Sequence, residues 1–471
     1  MKTRYHSVVL DEEKCQGCTN CIKNCPTEAI RVRGGKAVIL TERCIDCGEC
    51  IRTCENHAKK ALSETLDDLK NFRYRVALPA PSLYGQFKQG VMPRAVLAAL
   101  RQIGFDEVYE VAAAAELTTY AVRTYLEEYT RKNDRKNLPL ISSSCPAVVR
   151  LIQVRFPGLI PRIIPVEPPY VTAAKMFYSE RLPELGYSPE EIGLFFITPC
   201  PAKITEIKTV AQAGYHVDGA IPFLSIFGKL QEQLDSGEKI DVAPQSTGVG
   251  IGWARAGGES VAIKWDNSLS VDGIHHVAAL LEEIEMDKLN DIDYIEAMAC
   301  PEGCVGGALT VENPFVARVK IRKLAEAAND KELPPEVSAL GADLYAQGFF
   351  HLRQDLPAIP ALQLDKDLGV AIKKLEQVEG LMRKLPGLDC GACGSPTCRS
   401  LAEDIVQENA QLSDCIFILR EELEELAGKL LLLSQKRPPA LGQTGSEKEV
   451  VKGESEGSPG EDRGTDDYRG E

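Results

Sequence analysis

Two cysteines four residues apart, Cys300 and Cys304, end a hydrophobic run within Glu296-Ala297-Met298-Ala299-Cys300-Pro301-Glu302-Gly303-Cys304-Val305-Gly306-Gly307. Thiolates are soft metal donors, and the glycines let backbone crowd against a bulky group. Cys145 and Cys200 stand alone in sequence, yet each is followed by proline, as Cys300 is. Each also follows a short apolar strand candidate: Leu138 to Ile141, Gly193 to Ile197, and Tyr294 to Met298. Ligands bind at the carboxyl ends of strands in open α/β sheets. Proline suits the first turn of a helix, whose N-terminus favours thiolate over thiol. Taken singly, Cys145 or Cys200 reads as a buried structural cysteine. Taken together, the four suit one iron-sulfur cubane fed from three loops.

The remaining cysteines fall into two modules. Cys15, Cys18, Cys21 and Cys25, then Cys44, Cys47, Cys50 and Cys54, repeat C-x2-C-x2-C-x3-C within residues 1–62. In that run the fourth cysteine ligates the other cluster. Cys15, Cys18, Cys21 and Cys54 are thus expected to hold one [4Fe-4S] cluster, and Cys44, Cys47, Cys50 and Cys25 a second, in an α+β ferredoxin-like domain. Paired zinc knuckles fit less well, because zinc sites separate their C-x2-C pairs. Glu55, not proline, follows Cys54. Cys390, Cys393, Cys398 and Cys415 form C-x2-C-x4-C-x16-C. Gly387, Gly391 and Gly394 keep its first loop compact, and Leu401 to Leu412 reads as the helix that returns Cys415. Zinc remains open there on spacing alone.

Positioning these thiols falls to an α/β domain expected over residues 73–355. Short apolar strands (Arg75 to Leu78, Glu107 to Val111, and the three above) alternate with helical stretches such as Leu117 to Tyr129 and Ala147 to Phe156, which predicts a largely parallel sheet. Residues 63–72 read as a charged helical connector. A small four-cysteine domain is expected over 373–415. Beyond it, Ile416, Leu419, Leu423, Leu426, Leu430 and Leu433 keep the a/d rhythm of a coiled coil over 416–436. That helix offers a homodimer contact or a surface for a signalling protein, or it docks on its own domain. Residues 437–471 are rich in Gly, Ser, Pro, Glu and Asp and read as disordered.

A chain of 471 residues needs no disulfide staples, so its 16 cysteines read as ligands in a reducing, cytoplasmic compartment. The net charge of -15 argues against nucleic acid, and no apolar run is long enough to span a membrane.

The segments Ser143-Ser144-Cys145-Pro146, Thr198-Pro199-Cys200-Pro201-Ala202-Lys203-Ile204-Thr205-Glu206 and Glu296 to Cys304, with Ala80-Pro81-Ser82 as a fourth turn, resemble the H-cluster motifs of [FeFe]-hydrogenases. The resemblance spans roughly residues 73–325 and implies a two-lobed domain. It implies that Cys145, Cys200, Cys300 and Cys304 bind a [4Fe-4S] cubane. Cys304 would bridge to a di-iron subsite carrying CO, cyanide and an azadithiolate. Lys203 would face a cyanide with Glu206 behind it, and Met298 would pack beside the di-iron unit; Ala80, Pro81, Ser82 and Thr198 would line the pocket. The last cysteine module resembles that of hydrogenases suspected of sensing, though no PAS-like domain follows. The implied cofactors are therefore three accessory [4Fe-4S] clusters and the H-cluster, with H2, protons and a carrier such as ferredoxin as partners.

Departures from the family pattern bear on rate. Catalytic members place a proton-passing cysteine before the first ligand, where this chain has Ser144; an alcohol ionises far less readily than a thiol of pKa about 8.5. Leu117 to Leu126 lacks the usual carboxylates, Thr198 replaces a methionine, and Gly307 to Pro314 replaces a more glycine-rich stretch. These features favour a sensory hydrogenase of low turnover over an ordinary ferredoxin-linked enzyme. A non-catalytic iron-sulfur carrier without the di-iron unit is the third reading.

Overall fold

The computed structural model describes residues 5–132, 137–209, 215–236, 242, 244–328, 332–352 and 355–436. The chain divides into two compact units, Met1–Ile416 and Phe417–Glu471. In the first unit, β1 (Val8–Leu10), β2 (Ile30–Arg33), β3 (Lys36–Ile39) and β4 (Lys59–Ala61) form two antiparallel pairs, β1 with β4 and β2 with β3. Short helices Asn20–Lys23 and Glu49–Arg52 carry Cys21 and Cys50. Val8, Ile22, Ile30 and Ala37 close a small core around the cysteines. A module this short buries little apolar area, so ligated metal has to supply much of its stability.

Strands β5 (Tyr74–Pro79), β6 (Glu107–Val108), β7 (Leu140–Ile141), β8 (Ile192–Thr198), β9 (Gly219–Pro222), β10 (Ser268–Asp272) and β11 (Tyr294–Met298) follow. They build two wholly parallel sheets, β6-β5-β8-β9 and β10-β11-β7. Every residue of β8 is buried, as its uninterrupted apolar run requires of a parallel strand covered on both faces. Each sheet has its own core: Leu78, Phe195, Phe196 and Phe223 pack around the first, and Ile141, Leu151, Ile152 and Ile295 around the second.

Several boundaries differ from the sequence reading. Glu107 to Val111 is not one strand: β6 stops at Val108 and Val111 opens the 22-residue helix Val111–Lys132. The alanine run after Val111 buries well on a helix, which overrides the β-propensity of Val111. Strand β7 is shorter than expected, and the helix after Cys398 is Cys398–Val406, with Leu412–Asp414 a separate 3-10 turn before Cys415. The connector holds only the 3-10 turn Asp68–Asn71. Strands β9 and β10 were not anticipated. The first is four residues bounded by glycine and proline, and the second is only half-buried.

Asp404, on helix Cys398–Val406, accepts from Arg31 Nε at 2.6 Å and Nη2 at 3.1 Å, and from Arg33 Nη2 at 2.8 Å. Ser395 Oγ donates to the same carboxylate at 3.0 Å, and Val32 N–H donates to Gly394 O at 2.7 Å. Gly394 sits at φ +79°, and a Cβ there would lie 2.1 Å from Val32 O, so only glycine allows the approach. The last cysteine module is thereby fixed to the β2-β3 hairpin of the first. Of the second unit, residues 417–435 continue the helix Ile416–Gln435, with Leu419, Leu423, Leu426, Leu430 and Leu433 exposed. The tail expected to be disordered, 437–471, lies outside the described residues.

Breaking a buried pair strands a charge at a cost of about 3–5 kcal/mol. Asp404→Ala is therefore expected to lower the denaturation midpoint and open the 385–415 segment to protease, with a smaller effect for Arg33→Ala because Arg33 is partly exposed. Unchanged proteolysis of Asp404→Ala would contradict this docking.

Candidate cluster site

Cys145 ends the loop after β7, Cys200 the loop after β8, and Cys300 the loop after β11, so the site lies between the carboxyl ends of the two sheets. Proline opens the helices Pro146–Arg155 and Pro201–Thr209 directly after Cys145 and Cys200. One cavity is lined by Cys145, Cys200, Cys300 and Cys304, and also by Ala80, Pro81, Ser82, Ser144, Thr198, Lys203 and Met298. The structure thus brings together every pocket residue expected from sequence except Glu206, which stands behind the wall and holds Lys203 Nζ at 3.1 Å. Lys203 Nζ also lies 4.4 Å from the centroid of the Tyr170 ring. The Lys203–Glu206 pair is therefore not an ordinary exposed helix pair: Lys203 is mostly buried and faces the thiols.

Three features fit a bulky anionic metal cluster. Burial, followed by the neighbouring Cys300 and Cys145, pushes the Cys200 thiol well up. Burial, partly offset by Arg52 and reinforced by Cys145, pushes Cys300 up to about 11. Thiolates held this way repel one another, and a metal removes that cost by ligating them. Ser82 Oγ is buried, lines the cavity and has no hydrogen-bond partner, leaving a hydroxyl free for an acceptor in the cavity. Gly303, at φ +83°, admits no Cβ, which would sit 2.5 Å from Ala256 N and 2.8 Å from Met298 Sδ.

The accessory sites assemble as the spacing requires. Cys15, Cys18, Cys21 and Cys54 line one pocket; Cys25, Cys44, Cys47 and Cys50 a second; and Cys390, Cys393, Cys398 and Cys415 a third. The second is the inner one, since Cys47 also lines the main cavity and Arg52 donates to Gly306 O at 2.9 Å.

The carboxylates that reach the cavity were not visible as such in the sequence. Glu116, which the longer helix Val111–Lys132 contains, is spent on Thr247: its Oε1 accepts from Thr247 N at 2.6 Å and Oγ1 at 2.7 Å. Glu259 instead lines the cavity, as Ser144 does, and accepts from Ser142 Oγ at 2.8 Å and from the Tyr294 hydroxyl. Burial and then the charge of Glu296 push its carboxyl up to about 8. Glu296 is itself buried and raised by burial, while Ser260 N at 2.8 Å, Gly257 N at 3.0 Å and Ser270 Oγ at 3.3 Å donate to it. Ser270 is exposed. Glu296 carried one signal in the sequence, an acid inside the otherwise apolar strand β11; Glu259, after the pair Gly257-Gly258 and in the first turn of the helix Gly258–Ile263, carried none.

The pH dependence follows in sign. The folded chain keeps a proton on Glu259 up to about pH 8, whereas an ordinary glutamate releases it near 4.5, so stability falls as pH rises across that window. Glu259→Gln is expected to flatten this slope, which amounts to on the order of a few kcal/mol. Denaturation curves between pH 5 and 8.5 check it, and an unaltered slope would remove Glu259 as its source.

Among the described residues no helix is long and apolar enough to cross a membrane. A family model described as "Iron only hydrogenase large subunit, C-terminal domain" matches residues 73–265 and 255–308, half of the chain. A 4Fe-4S dicluster domain matches residues 7–55 and a putative Fe-S cluster model residues 385–417. Among curated relatives, the periplasmic [Fe] hydrogenase large subunit of Nitratidesulfovibrio vulgaris is 26% identical over 64% of this chain and 86% of its own length. Iron hydrogenase 1 of Clostridium pasteurianum is 24% identical over 68% of each chain. A solved [FeFe]-hydrogenase from Chlamydomonas reinhardtii superposes with a TM-score of 0.49 and 18% identity, covering 63% of this chain and 98% of the other. With four thiols lining one cavity between parallel sheets and a family model across the domain that holds them, the chain is an iron-sulfur protein and belongs to the iron-only, or [FeFe], hydrogenase large-subunit family.

Proposed function

We propose that this chain binds H2 and splits it reversibly and slowly, and that it serves to report H2 or redox status rather than to convert H2 in bulk. The observation that carries the reading is Ser144, a hydroxyl beside the first thiol in the cavity that Glu259 also lines. Cys145, Cys200, Cys300 and Cys304 would hold the cubane of the H-cluster, and Cys304 would bridge to the di-iron part with its CO, cyanide and azadithiolate. When bound, that group supplies the metal centre at which H2 is cleaved and the base that takes the first proton.

The protein's own residues then handle the proton. Ser144 Oγ takes the proton from the cavity and gives its own to Glu259 once Glu259 has shed the proton it holds near neutral pH; Glu296, which accepts from exposed Ser270, is the neighbouring acid. Glu259, with a carboxyl near 8, is matched to proton exchange around neutral pH. The Ser144 hydroxyl is not, because its ionisation lies far from that range, and it sets the slow step. Lys203, held by Glu206, would offer its ammonium to a cyanide of the bound group, and Ser82 Oγ would offer a second donor. Electrons leave by the inner site of Cys25, Cys44, Cys47 and Cys50. The docking of Asp404 on Arg31 and Arg33 supports a branch to the last cysteine module and the helix that follows Cys415, the surface for a signalling protein or a second copy. An ordinary catalytic hydrogenase coupled to ferredoxin is the competing reading, favoured by the raised carboxyl of Glu259 in the cavity wall.

Infrared spectroscopy of the protein matured with the di-iron cofactor is expected to show CO and cyanide bands that shift under H2; their absence would leave only an iron-sulfur carrier. In the same preparation Ser144→Cys should raise turnover, and Glu259→Gln should lower it by about 10²-fold or more. A fast wild-type rate at neutral pH would sink the sensory reading.

A further inference from the structure

The two halves of the first module are related by a 29-residue repeat: Cys15, Cys18, Cys21 and Cys25 recur as Cys44, Cys47, Cys50 and Cys54. The structure keeps the correspondence in detail. Ala29 N–H donates to Cys25 Sγ at 3.2 Å, and Ala58 N–H to Cys54 Sγ at 3.3 Å. Glu28 and His57 share a positive φ of 49° and 48°. Ile30 opens β2 and Lys59 opens β4.

At that last pair the halves differ in chemistry. Ile30 is 2% exposed and lines the inner site; Lys59 is 4% exposed and lines the outer site, with Cys15, Cys18, Cys21 and Cys54. Lys59 Nζ is buried without a hydrogen-bond partner. Its charge acts on a thiol of each site, lowering Cys21 and Cys50 against the burial that raises them. An ammonium in a dry interior costs several kcal/mol unless an anion answers it. The anion the position provides is the cluster with its four thiolates.

We propose that Lys59 is the charge partner of the outer cluster and holds that site at a higher reduction potential than the inner one. A reduced cluster carries one more negative charge than an oxidised one, so a nearby buried cation stabilises the reduced form. In the exchange between the sites one electron is lost by the inner cluster and gained by the outer, with no bond or proton involved. Lys59 biases that exchange outward. Electrons entering from the main cavity therefore collect at the site whose Cys18 is exposed.

The test uses the full chain loaded with iron-sulfur clusters but without di-iron cofactor, so its outcome is independent of hydrogenase activity. Redox titration followed by electron paramagnetic resonance is expected to show one midpoint moving to more negative potential in Lys59→Met and in Lys59→Ile, and recovering in Lys59→Arg. Unchanged midpoints in Lys59→Met at full iron content would overturn the proposal. Should both neutral variants lose one cluster's iron, retention in Lys59→Arg would support the charge partnership, and loss in all three would overturn it.

Discussion

A thiolate costs most where this chain puts it, in a dry interior beside other thiolates. Around Cys200 the neighbouring thiols add to the penalty of burial, and at Cys300 the guanidinium of Arg52 only partly offsets it. The repulsion is tolerable only if metal is bound, and the surrounding fold is arranged to keep the thiols together regardless. Cysteines at the ends of β7, β8 and β11 are held by two separate sheets, each with its own core, so none can retreat without unpacking a strand. Glycines at 303 and 394 then let backbone approach where a side chain would collide.

The same dry interior shapes the acids. Glu259 and Glu296 are buried, and their carboxyls are held by hydroxyl and amide donors. Burial raises both, and Glu259 keeps its proton near neutrality. The environment that makes thiolates depend on metal thus also makes a carboxyl suited to proton exchange, and Ser144 stands where the two meet.

Much of this was legible in the sequence because cysteine ligands are spaced by the metal they serve. The assignment of Cys54 to the site of Cys15, Cys18 and Cys21 followed from local spacing, and strands β5, β8 and β11 from apolar runs that parallel sheets demand. Strands β9 and β10 were hidden by their brevity and half-buried character, and the extension of the helix to Val111 by β-branched and aromatic neighbours. Glu259 was invisible for a different reason. Its partners Ser142 and Tyr294 are 117 and 35 residues away, so its role exists only once the sheet is folded. Arg31, Arg33 and Asp404 are likewise joined across more than 370 residues, where no periodicity can point.

That last contact has a consequence for how the chain trades electrons. Arg31, Arg33, Arg43 and Lys23 would form an open basic patch on the first module, the kind of surface to which an acidic diffusing carrier is drawn. Here the patch is already taken: Asp404 and Glu403 answer the arginines, and the carbonyl of Pro396 accepts from Lys23. A tethered occupant competes at an effective concentration no free protein of ordinary abundance reaches. The final cysteine module thus sits as a resident occupant on this face and closes it to a diffusing carrier.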